Sequence, residues 1–200
     1  MKRLSIVLLL FVQTSIAQTA LDDTGFGEIR LGKTYELIEN RINVVDVDAI
    51  PEYAWFAPMS LNYWLTEVEQ DTASYYEMLE TDRLIAESLN LKIVWCSFQK
   101  KKDANFFKCP IECAQLIFEN NSLKGIIVAF DKNDITPEAK ESIFEQFEAQ
   151  FGQADFNESS LSTPRRFDSN WKINERLIRV SDAQTMDGGI GETVQVLYWQ

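Results

Sequence analysis

The sequence predicts an α+β fold: an antiparallel β-meander with helices packed on one face. Three observations carry this. Leu89–Asp131 alternates apolar and polar residues as three strands in succession. Thr136–Gly152 has the cap, periodicity and terminator of an amphipathic helix. From Arg165 the chain returns to strand-like segments to its end.

Met1–Ala17 begins with Lys2 and Arg3, continues through an apolar run from Leu4 to Val12, and ends on the small residues of Ser15-Ile16-Ala17. This is the pattern of a secretory signal peptide, and the run is about half the ~20 residues that span a bilayer. Cleavage after Ala17 leaves 18–200 as a single secreted α+β domain. A faint recurrence of strand, turn and helix at Gly25–Asn43 and at Ile126–Gly152 divides that domain into two strand-helix-meander halves, the second from about residue 125. The mature chain keeps 17 basic against 31 acidic residues, a net charge of −14. Such a surface repels nucleic acid and anionic headgroups. The one basic run, Lys100-Lys101-Lys102, is closed by Asp103 in an expected hairpin loop.

Next comes Phe26-Gly27-Glu28-Ile29-Arg30-Leu31-Gly32-Lys33-Thr34, a short strand with Thr34 placed to cap a helix over Tyr35–Ile42. The run F-G-x-I-x-L-G-x-T, followed by a helix and a meander, resembles small secreted α+β domains such as β-lactamase-inhibitor proteins and the lipoproteins of outer-membrane assembly. The chain departs from them in lacking a lipidation cysteine and in carrying a long insertion before its meander. The resemblance implies a non-catalytic module that binds another protein and transfers no particular residue.

The insertion, Asn43–Ser88, opens on a candidate strand at Val44–Asp48. It then gathers Tyr53, Trp55, Phe56, Tyr63 and Trp64 around Pro51 and Pro58. Tyr53, Trp55, Tyr63 and Trp64 suit a ligand platform for a sugar or an apolar partner. A cover over one sheet face is the favoured alternative, because large aromatics are mostly buried. Asp71 is placed to cap a helix over Thr72–Ser88, with Tyr76, Leu79 and Leu84 expected inward.

In the meander, Leu91, Ile93 and Trp95 are expected to share a core with Ala114, Leu116 and Phe118, which sets Trp95 opposite Ala114 and Cys96 opposite Cys113. That register predicts a Cys96–Cys113 disulfide with Cys109 free or an alternate partner. Asn120-Asn121 supplies the tight turn, and Leu123–Phe130, apolar on both parities, is expected at the centre of the sheet. Thr136-Pro137 then opens a helix with Ile143, Phe144, Phe147 and Phe151 on one side and Gly152 at its end. Strands are expected at Arg165–Ile173, Glu175–Ser181 and Thr193–Gln200, with an exposed Gly- and Asp-rich loop over Asp182–Glu192.

The chain has no histidine, which removes Ser-His and Cys-His nucleophile pairs and imidazole metal sites. No nucleotide-binding glycine motif is present in its required context, so no cofactor is expected. Cys109 and Cys113 are spaced C-x₃-C, not the redox C-x-x-C. Asp46 with Asp48, and Asp131 with Asn133 and Asp134, lack a full calcium-loop spacing, so no metal is expected either. Two function classes remain. One is an extracytoplasmic non-catalytic binding protein, inhibitor- or immunity-like, whose partner is another envelope or extracellular protein. The other is a histidine-free carboxylate hydrolase or carbohydrate-binding module using the aromatic cluster at 53–64. The localisation expected is secreted or periplasmic.

Overall fold

The computed structural model describes residues 21–46, 49–51, 54, 61–66, 68, 71–99, 105–106, 109–131, 133–158, 167–183 and 193–200. The leader, the basic run at 100–102 and the loop from 184 to 192 lie outside them.

β8 (Ser122–Phe130) sets the architecture. Its segment Ile126–Phe130 is buried on both parities, so this strand needs cover on two faces and partners on two edges. β7 (Cys109–Glu119) pairs along one edge through a two-residue hairpin, and the C-terminal β12 (Thr193–Trp199) pairs along the other. Beyond β7 lie β5 (Leu91–Phe98) and the short β4 (Ile42–Val44). Beyond β12 lie β11 (Arg176–Ala183), β10 (Phe167–Ile173) and β9 (Asp155–Glu158). The order β4-β5-β7-β8-β12-β11-β10-β9 is antiparallel throughout, and β6 (Asn105–Phe106) adds to β7. Two meanders are thus stitched at β8 and β12. Gly125 permits the stitch at one end, because a Cβ there would stand 2.7 Å from the Trp199 ring.

Helices pack on one face. α1 (Tyr35–Ile38) contributes Ile38, and α4 (Pro137–Phe151) contributes Ile143 and Phe147. A small sheet, β1 (Leu21–Asp22), β2 (Gly25–Phe26) and β3 (Ile29–Arg30), adds Phe26 and Ile29. These meet Leu116, Phe118, Ile126, Val128, Ile178, Val196 and Tyr198. α4 forms as its sequence dictates. The Thr136 side chain accepts a hydrogen bond from the Ala139 N–H at 3.2 Å, and Gly152 ends the helix at φ 84°. The opposite face carries Cys113, Ile127 and Ala129 under Ile50 and Ala54. The insertion therefore covers this face where it is described.

The F-G-x-I-x-L-G-x-T run is structural. Phe26, Ile29 and Leu31 are buried, and Phe26 meets Phe98 edge-on at 5.9 Å. Gly32 N–H donates to the Leu123 carbonyl at 2.7 Å and Leu123 N–H to that of Lys33 at 2.8 Å, tying the run to the start of β8. α1 is four residues long, followed by a 3-10 turn at Glu39–Arg41, in place of the expected helix to Ile42. Thr34 occupies the cap position without a side-chain bond to the helix backbone. Asn121 takes that role, accepting from Tyr35 N–H at 3.4 Å and donating to the Glu36 carboxylate at 3.1 Å.

The register of β5 on β7 corrects the expectation. Cys96 pairs with Ala114, Trp95 with Gln115 and Val94 with Leu116. Val94, Cys96 and Phe98 face the helices, and Trp95 lies on the other face. From Ile93 to Cys96 both parities are apolar, so alternation does not select a face. With Cys96 opposite Ala114, alternation along β7 puts Cys113 on the face away from Cys96, and a bulge between Ile111 and Cys113, against β8, returns Ile111 to the helix side. The Cys96–Cys113 bridge is accordingly not formed; Cys96, Cys109 and Cys113 are all buried and none is in a disulfide. Of the candidate strand at Val44–Asp48, Val44 ends β4, where Ile42 meets Phe98, and Val47 and Asp48 lie outside the described residues. β6 and β9 were not anticipated.

Asn120 and Asn121 stand at φ 49° and 63°, the left-handed pair of a hairpin turn. Asn121→Ala is expected to cost about 1–2 kcal/mol, since an ordinary side chain resists that conformation. Asn121→Gly should cost less, keeping the turn and losing only the hold on α1. Urea unfolding of both variants checks this, and the reverse order would refute it.

Candidate functional site

At the β4 end of the sheet the structure gathers its unusual surface. α3 (Thr72–Ser88) leans on β5, and α2 (Leu61–Thr66) packs against α3. Local devices build α3. The Asp71 side chain accepts from Ser74 N–H at 2.8 Å, which holds its carboxyl below the usual range. Arg83 bonds Glu80 at 2.6 Å and also pairs with Glu87, joining three successive turns of the helix.

Burial contributes little to this helix. Tyr75 is its one fully buried side chain among the described residues. The expected inward face is corrected here. Tyr76 and Leu84 are half exposed and Leu79 is half-buried. Ile85 is 53% exposed and Leu89, at the C-cap, 58%. On the neighbouring elements Val44 and Leu37 are more than half exposed as well. Isolated exposed apolar residues are ordinary; Tyr76, Leu84, Ile85 and Leu89 gathered on one helix and its cap are not. The sequence did hold a signal: apolar residues at 75, 76, 78, 79, 84 and 85 occupy several sides of one helix, so a single buried stripe cannot absorb them all.

Of the proposed aromatic platform, Tyr53, Trp55 and the Tyr63 side chain lie outside the described residues. Trp64 is half-buried, donates from its indole N–H to the Ser74 hydroxyl at 3.0 Å, and meets Tyr75 edge-on at 6.2 Å. It joins α2 to α3.

The carboxylates give little support to acid catalysis. Glycosidase chemistry needs one carboxyl whose proton affinity is raised. The resolved shifts among the described carboxyls, at Asp22, Glu36, Asp71, Glu80 and Glu138, are all downward. For Asp22, bonds from Thr24 and the Arg30 charge outweigh the opposing effect of partial burial. Asp131 accepts from both the backbone and side-chain nitrogens of Asn133, a self-satisfied turn. Asp48 is outside the described residues. No group of three or more potential metal ligands occurs among the described residues.

Burial pushes the Cys113 thiol up to about 12 and raises Cys96 and Cys109, so none is poised as a nucleophile. Native protein is therefore expected to react slowly with Ellman's reagent. Unfolding it without reductant should release all three thiols, because none is bridged. A titration of a single thiol would overturn this arrangement.

Comparison with family models, with curated proteins and with solved structures returned no match.

Proposed function

We propose that this chain is an exported, non-catalytic interaction protein that binds another protein of the envelope or extracellular space. The observation that carries the reading is the α3 and β4 margin, where apolar side chains face solvent on a chain of net charge −12. A surface of that kind suits a partner with its own apolar patch and a basic surround. The leader pattern supports export. Cleavage after Ala17 would leave Gln18, Thr19 and Ala20 ahead of β1. Among the described residues no helix is long and apolar enough to cross a membrane. The resemblance carried by F-G-x-I-x-L-G-x-T implies the same role.

Two measurements test this. Protein recovered from the native host should begin at Gln18; an intact Met1 would remove export. Tagged mature protein should capture a protein partner from the envelope fraction in a salt-sensitive manner, while leaving oligosaccharide substrates intact. Turnover of a glycan by the purified chain would replace the binding reading with the hydrolase one.

A further inference from the structure

Resting on the interaction role proposed above, we propose that the stripe of Met78, Ile85 and Leu89 on α3 is the docking face for a basic amphipathic helix of the partner protein. At about 100° per residue Met78 and Ile85 fall within a narrow arc on one side of the helix, and Leu89, the C-cap residue, follows one turn beyond Ile85, its N–H donating to the Ile85 carbonyl at 3.2 Å. Met78 is half-buried and the other two are more than half exposed, so the stripe continues the inward surface out into solvent. Spacing of seven and four residues along a straight helix matches the ridges that a second helix packs against.

Charge identifies the occupant. α3 carries Glu77, Glu80, Asp82 and Glu87 against Arg83 alone. Glu80 and Glu87 are paired with that arginine. Glu77 and Asp82 stand exposed on the two flanks of the stripe, and neither forms an ion pair among the described residues. A partner helix with an apolar ridge bordered by lysine or arginine meets both features at once. A second copy of this chain would set the same carboxylates against each other. An anionic membrane or a nucleic acid would be repelled.

The test uses mature protein and two synthetic probes: a Leu/Lys amphipathic peptide and a Leu/Glu peptide of equal length and helicity. Calorimetric titration should show binding of the Leu/Lys peptide alone. Its affinity should fall with added salt and by at least about tenfold in the Ile85→Lys/Leu89→Lys variant. Thermal melting of the variant should match the parent; if it does not, Ile85→Ser/Leu89→Ser replaces it in the same titration. Equal binding of the Leu/Glu peptide, or undiminished binding by the folded variant, would overturn the proposal. So would a dimer of the free protein that the substitutions dissolve. Capture of the same envelope partner by parent and variant would overturn this face while leaving the interaction role standing. Capture of none by either would remove that role itself.

Discussion

A strand without a polar face is the constraint on which this structure depends. Ile126 to Phe130 offers apolar side chains on both parities, and each of them is buried. Water can therefore reach neither face, and an unpaired backbone edge there would be costly. β7 satisfies one edge as its hairpin neighbour. The other edge is satisfied only when the last strand of the chain returns. Val196 then lies across from Val128 and Tyr198 from Ile126. β9, β10 and β11 follow as the path by which the chain reaches that pairing. The helices of one face and the insertion of the other are both cover for the same strand.

That constraint also explains where the F-G-x-I-x-L-G-x-T run goes. Its apolar residues are too few for a core of their own, so they join the helix side of the large sheet, with Phe26 between Phe98 and Tyr198. Bonds from Gly32 and Lys33 to Leu123 fix the run at the start of β8. Asn121 then closes the joint by holding the first turn of α1. One asparagine thus serves the hairpin and the helix, a coupling that no local pattern discloses.

Much of the fold was legible because the relevant signals were local and unopposed. Thr136-Pro137 and Gly152 bracket α4, Asp71 caps α3, and the double parity of β8 puts it at the centre of the sheet. The reading failed where two local patterns were equally good. Between Ile93 and Cys96 either parity can be core, and a one-residue slip moved Trp95 out and Cys96 in. The same slip set Cys96 opposite Ala114 in place of Cys113 and so left the two thiols on different faces. Of the aromatic residues that stood out in the sequence, Trp64 is the one whose side chain is described, packed against Tyr75. The exposed side of α3 was not legible, because periodicity says which residues share a side and not which side finds a neighbour.

The construction of α3 bears on what its surface is for. Isolated helices of this length are marginal, and most protein helices are held by burying an apolar stripe. Here a cap at Asp71, the Arg83 ion pairs and one buried tyrosine provide the local support. The cap and the ion pairs are exposed local contacts, and Tyr75 is the one side chain that fully anchors the helix among the described residues. Ile85 and Leu89 are thus not committed to the core, although they are residue types a core would ordinarily take. A helix kept in shape by its own polar contacts can present apolar side chains at a fixed spacing without their first being withdrawn from the fold. That lowers the ordering cost of association relative to a segment that must fold as it binds. In the proposed docking role, the acidic residues beside the stripe would serve solubility in the free state and selectivity in the bound one, because the same charges that oppose self-association would attract a basic partner.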